Sequence, residues 1–211
     1  MKDWVKWHTH YDATDSSLKQ RLALVQDAIR QSLPEKPATE GYTILDICAG
    51  DGRDLIEVLE TYKYKDSIRG CAIELDSQLA NEAKDRARIA RLPDNLKIIQ
   101  GDASSTNTYK DNIPADLVLV CGVFGNISDD DVIKTVQNLP KFCTQGTRVI
   151  WTRNRRAPDH THMIRALFRD NGFDETGFLS TDDGAYGVGV HTFNTSTPDI
   201  GDDVTMFSFI R

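Results

Sequence analysis

The chain has 211 residues, enough for one domain or one domain plus a short extension, and a formal net charge of -7. Its 39% hydrophobic and 27% charged residues are the composition of a folded globular protein rather than a disordered one. The acidic balance lacks the broad electrostatic footprint of a non-specific nucleic-acid binder, though it leaves room for a local basic patch, and no apolar run approaches the roughly 20 residues that span a bilayer.

In chain order, residues 1–14 carry Trp4, Trp7, His8, His10 and Tyr11 and read as an irregular or short helical arm. The opening MKDWVKWHTHYD has no apolar stretch of the secretory kind, so a cytoplasmic location is expected. Leu18, Leu22, Val25, Ile29 and Leu33 recur at helical spacing after Ser16, and Pro34 stops that helix. A polar linker leads to residue 41, which divides an N-terminal arm and helix (1–40) from the remainder (41–211). Residues 42–47, YTILDI, read as a buried strand, followed by the turn Cys48, Ala49, Gly50, Asp51, Gly52 and an amphipathic helix with Leu55, Ile56, Val58 and Leu59.

Residues 68–75 read as a second strand. A helix with Leu79, Ala80, Ala83, Ala87 and Ala90 follows and ends before Pro93. Residues 96–99 form a short third strand before Gly101, Asp102 and Ala103. The unbroken apolar run 117–121 reads as a strand buried on both faces. A helix over 129–139 opens on three aspartates, which suit a helix N-terminus. Residues 147–152 are a fifth strand and 162–168 a helix stopped at Asn171 and Gly172. Three strand-like runs without helices between them, 173–179, 186–193 and 204–210, close the chain. Alternating strands and helices predict a doubly wound, mostly parallel α/β sheet with right-handed crossovers, and the tail predicts an antiparallel edge.

Cys48, Cys71, Cys121 and Cys143 are widely spaced without a C-x-x-C pair, so buried reduced thiols are expected rather than a zinc site or disulfides. The H-x-H pairs His8/His10 and His160/His162 lie outside clear strands and lack a carboxylate at ligand spacing, so no metal site is predicted. In an open parallel sheet, ligands bind beyond the carboxyl ends of the strands. Acids stand at three such ends: Asp46, Glu74 and Asp102. An acid leading into the glycine turn would repel a pyrophosphate, and the third glycine of a dinucleotide fingerprint would fall at Leu55. A nicotinamide-dependent enzyme is therefore disfavoured.

Asp46-x-Cys48-x-Gly50-x-Gly52 resembles the first motif of the class I S-adenosylmethionine-dependent methyltransferases, with Cys48 in place of its first glycine. The resemblance covers about residues 42–155 and implies a Rossmann-like sheet of seven strands with an antiparallel C-terminal edge, to which residues 1–40 add an N-terminal helical extension. It implies S-adenosylmethionine as cofactor. Asp46 would meet its ammonium, Gly50 and Gly52 would let backbone approach beside Ala49, and Glu74, followed by Leu75, would take the ribose hydroxyls. Asp102 and Ala103 would meet the adenine amino group, with Cys121 and Gly122 packing beneath.

Residues 123–127 lack the Asn/Asp-Pro-Pro-aromatic loop of amino methylation on nucleic-acid bases, and Val120 rather than proline precedes Cys121. The expected acceptor is a small molecule. Asn126 would line its site, and Arg153 and Arg156, in the Arg-rich loop with Arg155, would clamp an anionic group. His8, Tyr11 and His160 are candidate bases, and Trp4 and Trp7 would face the acceptor. Methylation of RNA and a non-catalytic S-adenosylmethionine-binding module are the alternatives. Acceptor atom and oligomeric state do not follow from the sequence.

Overall fold

A computed structural model describes residues 16–199 and 201–210. The Trp4, Trp7, His8 and Tyr11 assignments lie outside the described residues. Helix α1 (Ser17–Ser32) is capped by Ser16, whose hydroxyl accepts from the Lys19 N–H, and it ends at Leu33, before Pro34. Then follow β1 (Tyr42–Ile47), α2 (Arg53–Thr61), β2 (Ile68–Glu74), α3 (Ser77–Ile89), β3 (Leu96–Gln100), β4 (Ala115–Val120), α4 (Asp129–Asn138), β5 (Cys143–Asn154), α5 (Thr161–Asp170), β6 (Phe173–Ser180) and β7 (Tyr186–Phe193).

The seven strands form one sheet in the order β3-β2-β1-β4-β5-β7-β6. Strands β3 through β5 pair in parallel, with Ile44 opposite Gly70 on one side and Leu117 on the other. Strand β7 runs antiparallel to both β5 and β6. The third tail run departs from expectation. Residues 204–210 join no strand of the sheet and make only the isolated bridges Ser105–Thr205 and Ile127–Phe209. β7 already lies between β5 and β6, and the last run passes instead over the loops at the sheet's carboxyl rim.

Each face of the sheet buries its own apolar cluster. Val25 and Ile29 of α1 and Leu55 and Leu59 of α2 pack with Ile44, Leu117 and Ile150 on one face. Val132 and Val136 of α4 and Ile164 and Phe168 of α5 pack with Leu45, Val118 and Trp151 on the other. Within that second cluster the Trp151 indole N–H donates to His191 Nδ1 at 3.1 Å, and Phe168 stacks on the His191 ring at 4.4 Å. Side chains of β1 and β4 are buried on both faces, which accounts for their unbroken apolar runs. Among the described residues no helix is long and apolar enough to cross a membrane.

Candidate active site

Strand order reverses between β1 and β4, so their following loops diverge and open a crevice at the sheet's carboxyl end. A cavity of about 1110 Å³ occupies it. Of the residues predicted from the sequence, Ala49, Gly50, Glu74, Leu75, Asp102, Ala103, Cys121 and Gly122 line this one cavity. Two predicted residues do not. Gly52 sits at the N-terminus of α2 with φ 75°, and a Cβ there would stand 2.4 Å from Ile56 Cδ1; it shapes the turn from behind. Asp46 is 2% exposed and lies beneath the lining, with no hydrogen-bond partner for Oδ2. Strand β1 is covered on both faces up to Ile47, so its last acid is interior rather than at the rim.

Burial, reinforced by the Asp54 and Glu74 carboxylates, pushes the Asp46 carboxyl well above the usual range. The Cys48 thiol is raised by burial and then by Glu74, Asp46 and Asp102, so all three acids act electrostatically on the start of the glycine turn. Cys48 itself has φ 62°, a left-handed backbone in which the glycine of the motif would be unstrained. Glu74 is held at both oxygens: Oε2 accepts the Gly50 N–H at 2.9 Å and Oε1 the Asp76 N–H at 2.8 Å. Each oxygen keeps a further lone pair, so an anchored carboxylate faces the cavity with two acceptors for a diol. Asp102 Oδ1 accepts the Ser104 N–H at 2.8 Å.

A second cavity of about 610 Å³ adjoins the first and shares Arg21, Gly122 and Ile210 with it. Asn126, Arg153, Arg156 and His160, all singled out in the sequence, line it. Asn126 is fixed by donating to the Gly122 carbonyl at 2.6 Å. Arg155 turns away, to Asp159 at 2.9 Å and Ser180. Close packing sets Arg153: a Cβ on Gly125 would stand 3.2 Å from its guanidinium and 2.9 Å from the Asn154 amide nitrogen. His160 Nδ1 lies 3.4 Å from Asp129 Oδ2, at the start of α4.

Sequence reasoning missed three contributors. Arg21, 4% exposed on α1, lies 3.5 Å from Asp54 and donates to the Thr152 hydroxyl at 3.3 Å, standing between the cavities. Its signal was a cation at helical spacing from Leu18 and Val25. Asp51, 1% exposed, binds Arg53 at 2.6 Å and Arg86 at 3.2 Å and braces the glycine turn. The last segment lines the large cavity with Phe207, Ser208, Phe209 and Ile210. Among the described residues, no group of three or more His, Cys, Asp or Glu side chains is arranged to hold a metal ion.

A family model described as "Methyltransferase domain" matches residues 44–146. No curated protein sequence matches the chain. Among solved structures, an O-methyltransferase family protein from Burkholderia thailandensis superposes with a TM-score of 0.65 at 14% identity, over 84% of this chain and 56% of that one. Fibrillarin from Aeropyrum pernix, with natively bound S-adenosyl-L-methionine, gives 0.58 at 17%, over 81% and 74%. The tRNA methyltransferase TrmK of B. subtilis gives 0.57 at 18%, over 86% and 68%. At such identities the likeness speaks for the fold, and the chain spans little more than half the length of the first.

Proposed function

We propose that this chain, whose residues 44–146 match a methyltransferase-domain model, is a class I S-adenosylmethionine-dependent methyltransferase that methylates a hydroxyl of a small anionic molecule. The observation that carries the reading is the pair of contiguous cavities, one lined by the strand-end carboxylates of Glu74 and Asp102 and one by the guanidiniums of Arg153 and Arg156, with a common wall at Arg21, Gly122 and Ile210. The large cavity fits the cofactor on three grounds: the buried Asp46 oxygen without a hydrogen-bond partner, the Glu74 carboxylate anchored with lone pairs to spare, and the glycine turn that brings backbone close. When bound, S-adenosylmethionine supplies a methyl group on a positively charged sulfur.

Glu74 would accept the ribose hydroxyls, Leu75 and Ala103 would give apolar contact, and Asp102 would accept from the adenine amino group. Asp46 and Glu74 would favour the cationic amino-acid end electrostatically. In the smaller cavity Arg153 and Arg156 would bind the acceptor's anion and hold its hydroxyl toward the shared wall. Methyl transfer at a sulfonium needs chiefly proximity and alignment, so this positioning would account for most of the rate. His160 would take the hydroxyl proton on Nε2 while Asp129 holds the Nδ1 side and stabilises the charged ring. A cytoplasmic setting accords with the reduced thiols of Cys48, Cys71, Cys121 and Cys143.

The test is calorimetry with S-adenosylmethionine, S-adenosylhomocysteine and NAD, followed by transfer of a labelled methyl group to hydroxylated carboxylates, phosphorylated hydroxyl compounds and RNA. We expect binding of both sulfur nucleosides, none of NAD, and label in a small anionic acceptor. Failure to bind S-adenosylhomocysteine would end the reading. Label appearing only in RNA would move the acceptor to nucleic acid, and tight binding with no turnover on any pool would make the chain a binding module.

A further inference from the structure

We propose that the C-terminal segment Thr205–Ile210 is part of the nucleoside site, with Phe207 and Phe209 forming the wall against which the adenine ring lies. The proposal rests on the reading of the large cavity as the S-adenosylmethionine site. The segment lies well beyond residue 146, where the family match ends.

Its path is fixed by backbone hydrogen bonds at both ends. The Thr106 N–H donates to the Val204 carbonyl at 3.0 Å, the Met206 N–H to Ser104 at 2.8 Å, and the Ile210 N–H to Asn126 at 2.9 Å. The segment therefore crosses from the loop after β3 to the loop after β4, both of which line the large cavity. The Asp203 carboxylate ties its start down, accepting from the Ser105 and Thr106 hydroxyls and the Asn107 N–H. Met206 and Phe207, 0% and 3% exposed, anchor it in the apolar cluster.

Beyond that anchor the pattern changes. Phe209 is 39% and Ile210 60% exposed, and both line the large cavity. Leu75, on the other side, is 64% exposed. Of the five large apolar side chains that stand exposed among the described residues, three thus border this one cavity. Apolar groups gathered at the mouth of an otherwise carboxylate-lined site match a ligand with a flat apolar face. Glu74 fixes the diol end; the attachment of Met206 at Ser104 places Phe207 on the side of Asp102 and Ala103, and the Ile127–Phe209 bridge places Phe209 on the side of the loop after β4. The ring system beyond the sugar would therefore sit between Leu75 and the two phenyl groups.

Calorimetry on the full chain with S-adenosylhomocysteine and with methylthioadenosine, which lacks the amino-acid end, tests this. Phe209→Ala should weaken both ligands by a similar factor of roughly 10 to 100, the range that stacking of a base on an aromatic ring supports. Phe209→Trp should restore binding, and the added indole emission, taken as the difference from the unsubstituted protein, should fall on titration with either ligand. Thermal melting should show Phe209→Ala folded, because Phe209 is not part of the anchor. Unchanged affinity for both ligands in Phe209→Ala would overturn the proposal. So would weakening confined to S-adenosylhomocysteine, which would put the phenyl at the amino-acid end, or an indole emission that does not respond. Absence of binding by the unsubstituted protein would instead overturn the cofactor reading, and this proposal with it.

Discussion

The two cavities are built by different means. The larger one takes its polar groups from the ends of consecutive parallel strands, where each crossover returns the chain to the same rim. The Gly50 N–H donates to the Glu74 carboxylate, which ties the glycine turn to the end of β2. The smaller takes its groups from the last residues of β5, the loops after β4 and β5, the starts of α4 and α5 and Arg21 of α1, and its charge is largely cationic. Sites of the first kind follow from topology, whereas sites of the second kind depend on the particular residues a loop carries.

Substitutions should separate the two. The largest effect is expected on the transfer step: His160→Ala should lower kcat by roughly 100- to 10,000-fold, with S-adenosylhomocysteine affinity unchanged. Equal loss in cofactor binding would show that the cavities are not separable at that wall. Next comes Glu74→Ala, which removes the diol acceptor and strands the Gly50 and Asp76 amides. A loss of S-adenosylhomocysteine affinity of about 100-fold is expected, and a loss under threefold by calorimetry would break the comparison. Arg153→Ala and Arg156→Ala should each raise the acceptor KM by about 10-fold or more while leaving cofactor affinity within a factor of two.

A smaller effect concerns the ring cluster of Trp151, Phe168 and His191. Burial lowers the His191 pKa to about 4, Glu175 opposing and Arg165 adding to the shift. Folded His191 thus binds its proton less readily than the unfolded chain does. The stability this contributes is present above pH 6.5 and is lost as pH falls toward 4, on the order of 3 kcal/mol in all. Urea midpoints of His191→Phe should fall less steeply over that window than those of the unsubstituted protein, and parallel slopes would refute the assignment. The smallest change is Cys48→Gly, which relieves a left-handed backbone but gives up a thiol contact. Its melting temperature should shift by only a few degrees.

The sheet was legible because buried strands and amphipathic helices leave different periods, and the order of 42–47, 68–75 and 96–99 with intervening helices admits few topologies. Residues 204–210 misled because an apolar run that covers loops has the composition of a strand. Asp46 could be placed at a strand end but not at a depth, which depends on how far both faces of β1 are covered. Arg21 sits on the buried face of α1 with Leu18 and Val25, and its importance lies in Thr152 and Asp54, distant in sequence and brought near only by folding.

The buried carboxyl of Asp46 has a thermodynamic consequence. An acid held well above its usual range retains its proton at a pH where a surface aspartate has lost it. A cation brought over it would reverse that balance and drive the proton into solvent. Uptake of a sulfonium ligand at a pH where Asp46 still holds its proton should therefore be accompanied by acidification, and the apparent heat of association should vary with the ionisation enthalpy of the buffer. Replacing Asp46 by asparagine should remove that dependence, so the floor of the crevice reports the charge of whatever rests on it.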